Sequence, residues 1–291
     1  MYDNILIPTD GSEVAETAAQ KAVSLAERFD AELHAIYVVE PERLSYIVDD
    51  ARGELTRRGT EAVERIEAQA DEAGISTTTA IIDEDKEVHR AILDYASDQE
   101  IDLIVMGTHG RGGIGRMVLG SVAEQTLRES PVPVMTVHED TVIDTSLDSL
   151  LVPFDGSESA MAAVDQAIDL AKTTNGTVNF LNIVNYSAIA GGEIATGMVL
   201  DALEEAGERA LETATERAEK NGVTVGDAAV EVGSPFRTIV EYAAQNDIDC
   251  IVMGTHGRSG VDRVLLGSVT ERVIRQTELP VIATKAPETD E

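Results

Sequence analysis

Ile104-Val-Met-Gly-Thr-His-Gly-Arg111 recurs letter for letter as Ile251-Val-Met-Gly-Thr-His-Gly-Arg258, 147 residues further along a chain of 291. Leu119-Gly-Ser-Val122 returns at the same offset as Leu266-Gly-Ser-Val269. Pro8-Thr-Asp-Gly-Ser12 matches Pro153-Phe-Asp-Gly-Ser157 at an offset of 145, so two residues were gained between the matched segments. Solenoid units run to about 50 residues or fewer, so a period this long marks a duplicated domain. Length and a 43% hydrophobic content suit two domains, each with its own core. The polar, acidic stretch from His138 to Ser149 is the expected boundary, which puts domains at 1–140 and 149–286, a linker at 141–148 and an acidic tail at 287–291.

Inside each copy, short apolar runs alternate with longer helical patterns, the pattern of βα units on a parallel sheet. In the first copy Asn4–Pro8, Glu32–Val39, Ser76–Ile82, Asp102–Gly107 and Val132–Val137 are predicted strands. Ser12–Phe29, roughly Glu54–Ala73, Glu87–Gln99 and Gly120–Glu129 are predicted helices, and the second copy follows the same order. Ser12 and Ser157 are expected N-caps, with Glu13 and Glu158 favourable beside the helix dipole, and Gly74 and Gly222 stand where C-caps belong. The fourth strand is apolar on consecutive positions, as a central strand covered on both faces should be. Cys250 lies in that strand and is expected to be a small buried core residue.

Charge and composition exclude several classes of function. Lys and Arg total 22 against 54 Asp and Glu, a formal charge of -32 that repels nucleic-acid backbones and anionic lipid surfaces. The acidic residues are spread along the chain and only five of the cations are Lys, a pattern that suits concentrated salt. Poor stability in dilute buffer is the corresponding expectation. The single cysteine permits neither an internal disulfide nor a cysteine-based metal cluster. No basic leader opens the sequence at Met1-Tyr2-Asp3, and no apolar run approaches about 18 residues, so a cytoplasmic protein with no membrane or nucleic-acid partner is expected.

In open parallel sheets, ligands bind beyond the carboxyl ends of the strands near a switch in strand order. Three paired features fall at such ends: Asp10 or Asp155 after the first strand, Val38 or Ile183 after the second, and a long loop after the fourth. That loop follows Met106 or Met253 and reads Gly107-x(2)-Gly110-x(9)-Gly120-Ser121-Val122, with its twin Gly254-x(2)-Gly257-x(9)-Gly267-Ser268-Val269. Glycines let backbone N–H groups approach a phosphate, and Gly-Ser at a helix start adds unpaired donors and a hydroxyl. The other reading is that the glycines shape a tight turn and close helix–sheet packing; identical spacing with Ser in both copies favours phosphate. Gly110-x-Gly112-x(2)-Gly115 satisfies a dinucleotide fingerprint by chance, since the second copy lacks it and it follows the fourth strand instead of the first. No Walker-type lysine occurs, which speaks against a vigorous ATPase.

These residues resemble the nucleotide-binding branch of the universal stress protein family, whose hallmark is the G-x(2)-G-x(9)-G-S/T loop carried whole in both copies. The resemblance spans nearly the whole chain. It implies an α/β fold of two tandem domains, each an open five-stranded parallel sheet with helices on both faces, Rossmann-like and similar to the adenine nucleotide alpha hydrolases. It further implies a site for ATP, or AMP or ADP, with Asp10 and Val38 at the adenosine end. Gly107 and Gly110 would lie near ribose and phosphates, and Gly120, Ser121 and Val122 would hold the phosphates. Asp155, Ile183, Gly254, Gly257, Gly267, Ser268 and Val269 would do the same in the second copy. Pairing through the last strands, Val132–Thr136 and Leu279–Ala283, is implied as well, either within one chain or in a homodimer.

The copies differ where Gly233-Ser-Pro235 faces Lys86-Glu-Val88, and where the glycine-rich Ala188–Gly197 faces a charged stretch; the latter suits a surface loop or a lid over the second site. Arg111 and Arg258 are placed to meet phosphates or to be solvated surface charge. His109 and His256 have no recurring His and carboxylate cluster beside them, so no catalytic residue is expected. A polyanion bound to so acidic a chain needs cations, so Mg²⁺ or Mn²⁺ is expected to accompany the nucleotide. The leading function is a nucleotide-binding stress-response or regulatory module with at most slow hydrolysis. A nucleotidyl or phosphoryl transferase on the same scaffold is the alternative.

Overall fold

A computed structural model describes residues 1–40, 49–110, 119–141, 147–185, 196–257 and 266–286. The chain divides into two compact units, Met1–Thr145 and Ser146–Glu291. Unit one runs β1 (Asn4–Pro8), α1 (Glu13–Phe29), β2 (Glu32–Val38), α2 (Asp49–Glu72), β3 (Thr77–Ile82), α3 (Val88–Asp98), β4 (Leu103–Gly107), α4 (Ser121–Glu129) and β5 (Val134–Val137). Unit two repeats the order as β6 (Ser149–Pro153), α5 (Glu158–Thr174), β7 (Thr177–Val184), α6 (Thr196–Lys220), β8 (Thr224–Val232), α7 (Pro235–Gln245), β9 (Cys250–Gly254), α8 (Ser268–Gln276) and β10 (Val281–Thr284).

Within unit one the strands lie in the order β3-β2-β1-β4-β5, all neighbours parallel, and Ile5 pairs with Leu33 on one side and Leu103 on the other. Unit two has the matching order β8-β7-β6-β9-β10. The chain steps outward from the first strand to the third, then returns to the other side of the first. This reversal opens a crevice beyond the carboxyl ends of the first and fourth strands, where an α/β sheet places its ligands.

The central strands are buried on consecutive residues, Leu103-Ile-Val105 in one unit and Cys250-Ile-Val252 in the other, so helices cover both faces. Cys250 is fully buried, as its apolar run predicts. Each fourth strand also ties its own sheet at the amino end. Asp102 Oδ2 accepts the amides of Asp3 and Asn4, and Asp249 Oδ2 accepts those of Asp148 and Ser149.

Helix boundaries follow the capping chemistry. Ser12 and Ser157 hydroxyls accept the amides of Ala15 and Ala160 at 3.3 and 3.2 Å. Gly74 and Gly222 take left-handed conformations, φ 73° and 76°, past the ends of α2 and α6. The sequence does not announce that Asp30 and Asn175, at φ 55° and 61°, end α1 and α5 in the same way. Helix α2 begins at Asp49, about a turn before the predicted Glu54, because its apolar stripe of Ala62, Val63, Ile66 and Ala70 starts well inside a polar first half. The edge strand β8 shifts register against β7 between Val178 and Phe180, and Asn179 fills the gap by accepting the Asp227 amide at 2.9 Å. No described helix is long and apolar enough to cross a membrane.

Candidate functional site

Two turns build the site of unit one. After β1 the amide of Thr9 still donates to Ile36, and the chain then reverses through Gly11 at φ 70°. There the Asp10 carboxylate accepts the Ser12 amide through Oδ1 at 2.9 Å, which fixes its direction at the mouth of the crevice. Unit two repeats this with Gly156 at φ 81° and Asp155 Oδ1 on the Ser157 amide at 2.9 Å. Asp10 and Asp155 therefore brace the turn ahead of the helix.

The second turn leaves β4. The Thr108 amide donates to Val137, and the Gly120 amide donates back to the Thr108 carbonyl at 2.7 Å, so the two ends of the loop are pinned together. Unit two keeps both bonds, Thr255 to Thr284 at 2.9 Å and Gly267 to Thr255 at 2.7 Å. Close approach explains the glycines here. A Cβ at Gly120 would stand 3.2 Å from the His109 backbone, and one at Gly267 would stand 2.9 Å from the Thr255 carbonyl.

Helix α4 starts at Ser121, and its first helical bond runs from the Glu124 amide to the Gly120 carbonyl at 2.9 Å. Gly120 at the N-cap offers no side chain, so the amides of Ser121, Val122 and Ala123 have no acceptor among the described residues. The amides of Ser268, Val269 and Thr270 at the start of α8 are in the same condition. Three bare donors at the positive end of a helix attract an anion.

These amides open into a cavity of about 420 Å³. Of the residues of the first copy singled out from the sequence, Asp10, Val38, Met106, Gly107, Gly110, Gly120, Ser121 and Val122 line it. Apolar walls complete it, with Val88 and Ile92 of α3 set one helical turn apart, and Leu119 at the end of the loop. The sequence reading did not place Ile92 or Leu119 at the site, although the i, i+4 apolar pair of Val88 and Ile92 on a predicted helix was a usable signal. It also passed over Glu40, a second carboxylate on the cavity wall.

The glycines divide into two kinds. A Cβ at Gly107 would meet Val14 Cγ1 at 2.6 Å, and one at Gly254 would meet the Ser159 backbone at 2.7 Å, so here glycine serves the packing of α1 on β4 and α5 on β9. A side chain at Gly110 or Gly257 would collide with the carboxylate of Asp10 or Asp155. Only this second kind concerns the mouth of the crevice.

His109 is less isolated than the sequence suggests. Thr108 Oγ1 lies 3.2 Å from His109 Nδ1 and 3.4 Å from Nδ1 of the buried His138, and the two rings are 6.4 Å apart. In unit two Thr255 Oγ1 meets His256 Nδ1 at 2.9 Å, while Lys285 follows Thr284 where His138 follows Val137. Other matched positions differ too: Thr9 is replaced by buried Phe154 and Glu40 by Asn185. At the third helix, Pro235 occupies the first turn of α7, whereas α3 starts after Glu87 with no side-chain cap. His89 of α3 approaches Glu129 at 3.6 Å, and its counterpart Phe236 instead lies under Arg272 at 5.2 Å. Arg111 and Arg258, the stretch 188–195 and the tail 287–291 lie outside the described residues.

A family model described as the universal stress protein family matches residues 1–138 and again residues 147–285. The chain belongs to the universal stress protein family. A universal stress protein of Methanocaldococcus jannaschii is 37% identical over 144 residues, covering 48% of this chain and 84% of that protein. One of Mycolicibacterium smegmatis is 27% identical over 293 residues, covering 97% of this chain and 96% of the relative. The crystal structure of a universal stress protein from Archaeoglobus fulgidus superposes with a TM-score of 0.74 at 24% identity, over 99% of this chain and 97% of that one. The last likeness is one of fold. Tandem universal stress repeats thus account for the duplication read from the paired motifs.

Proposed function

We propose that this universal stress protein binds ATP, or AMP or ADP, as a stress-response or regulatory module. The bare amides of Ser121, Val122 and Ala123 at the rim of a cavity of nucleotide-compatible size carry this reading. Phosphates would rest on those amides and on the Ser121 hydroxyl, and the adenosine would lie towards Asp10, Val38 and the apolar wall of Val88 and Ile92. In unit two Ser268, Val269 and Thr270 supply the amides, with Asp155, Ile183, Met253, Gly254, Gly257 and Gly267 at the matched positions. Mg²⁺ or Mn²⁺ would enter with the phosphates, since such ions take oxygen ligands and keep several waters; Ser121 is the oxygen donor at that end of the cavity. Hydrolysis is expected to be slow, because the loop offers no P-loop lysine to the leaving phosphate.

Mass spectrometry of gently denatured, freshly purified protein tests this directly. Adenine nucleotide is expected to co-purify, and added ATP is expected to bind in calorimetry. Failure of ATP, ADP and AMP to bind in the presence of Mg²⁺ or Mn²⁺ would remove the proposal.

A further inference from the structure

Helices α3 and α4 pack on each other and each supplies part of the cavity of unit one. The wall of Val88 and Ile92 belongs to α3, and the bare amides of Ser121, Val122 and Ala123 belong to α4. Next to Val88, where the two helices meet, His89 is buried with its side chain 3% exposed. Its Nε2 has no hydrogen-bond partner, yet it lies 3.6 Å from Glu129 Oε2 of α4 and 3.8 Å from Glu87 Oε2. Charge-assisted hydrogen bonds are about 2.7–2.9 Å long, so the ring stops roughly 1 Å short of both carboxylates. Each carboxylate is paired with an arginine of its own helix: Arg90 stands 3.2 Å from Glu87, and Arg128 donates to Glu129 at 3.0 Å, holding that carboxyl below its ordinary range. On β2, the titratable pair Glu32 and His34 faces Tyr95, further along α3, and not His89. The matched helices of unit two carry Ser234, Phe236 and Gln276 in place of Glu87, His89 and Glu129, with Arg272 over the Phe236 ring at 5.2 Å. None of those three titrates.

We infer that His89 is a positioning residue of unit one: when protonated it ties the first turn of α3 to the last turn of α4, so that this site, unlike that of unit two, binds nucleotide more tightly under mildly acid conditions. The inference rests on the nucleotide reading above, in which adenosine lies against α3 and phosphates rest on α4. A ligand that spans two helices gains affinity when their spacing is fixed beforehand, because less has to be ordered on binding. An imidazole changes charge between about pH 5 and 8, while arginine-paired carboxylates stay ionised, so the tie forms as the pH falls through that range. A charged donor then faces Glu129 where a buried nitrogen stood without a partner. By reciprocity, a nucleotide that prefers the protonated form must raise the pH at which His89 takes up its proton.

The test uses the full chain with ¹³C in methionine methyls and histidine rings. Met106 lines the cavity of unit one and Met253 holds the matched position in unit two, so their methyl signals report the two sites separately. AMP is titrated at about pH 8 and about pH 6 at fixed ionic strength. The Met106 affinity of the parent is divided by that of His89→Phe, the residue unit two carries, so that ionisation of AMP itself cancels. This ratio is expected to rise about threefold at the lower pH, while the same ratio at Met253, and the ratio of Glu129→Gln to His89→Phe at Met106, stay flat. AMP binding at Met106 with a ratio equal at both pH values, as a merely structural His89 would give, overturns this inference and leaves the nucleotide reading intact. Where His89→Phe fails to fold, the parent chain decides. Saturating AMP is expected to raise the titration midpoint of the His89 ring by about half a pH unit, the logarithm of that threefold change, and an unmoved midpoint overturns the inference. Absence of any AMP response at Met106 in the parent overturns both readings.

Discussion

The Asp10 carboxylate is wedged against Gly110: Oδ1 is held by the Ser12 amide, and Oδ2 lies within collision distance of the point a Cβ on Gly110 would take. A side chain at 110 must push the loop outward or tear the carboxylate from its turn. Gly110→Ala is therefore expected to weaken nucleotide binding in unit one by about tenfold or more while shifting the melting temperature little, since the contact is at the surface end of the fold. Gly257→Ala should do less, because Asp155 Oδ2 stands 2.9 Å from the corresponding point. Calorimetry with a parallel thermal melt checks both, and equal losses in the two variants would contradict the geometry.

Gly107→Ala and Gly254→Ala test the other kind of glycine. At 107 the new methyl meets the Val14 side chain, which can rotate, whereas at 254 it meets the Ser159 backbone, which cannot. Gly254→Ala is expected to cost about 1–3 kcal/mol of stability, with Gly107→Ala at or below the lower end. Denaturant melts measure the difference, and the reverse order would show that α1, not α5, is the tighter packed.

His34 supplies a pH signature. Burial holds its imidazole below the ordinary value of 6.5, with Glu32 at 3.9 Å pulling the other way and Tyr95 Oη 3.1 Å from Nδ1. Because the folded value lies below the unfolded one, the unfolded chain takes up the proton first. Its contribution is whole above about pH 6.5 and shrinks as the pH falls below that value. Relief of the acidic self-repulsion acts in the opposite direction over the same range, so the comparison must be with His34→Gln. The parent is expected to lose stability relative to the variant between pH 7 and 5, and parallel curves would exclude the effect.

The charge of -32 makes two salt predictions. At about 1 M salt the screening length falls to about 3 Å, so melting temperature is expected to rise from dilute buffer to molar KCl. Nucleotide affinity should rise with it from low to moderate KCl, the reverse of ordinary charge-driven recognition, since the long-range field here repels the ligand. Steady weakening from the lowest salt upward would refute the second prediction, and identical melts would refute the first.

The strands and the glycine loop were legible because duplication displays them twice: a spacing held between Gly107 and Ser121 and again between Gly254 and Ser268 is too regular for a surface loop. What each glycine is for was not legible. Nothing in the string separates Gly107, pressed on Val14, from Gly110, facing Asp10, because both answers lie in the turn and helix that follow β1, far away along the chain. His138 escaped notice for the same reason, since it reaches Thr108 only through the parallel pairing of β5 with β4. Val88 and Ile92 were visible as a helical pair, but their wall of the cavity depends on how α3 lies over β2.

Thr108 has one hydroxyl hydrogen and two imidazole nitrogens within reach. It can give that hydrogen to only one ring at a time, so His109 and His138 compete for a single donor. In unit two Thr255 faces His256 alone among the described imidazoles, so its hydroxyl has one ring to serve.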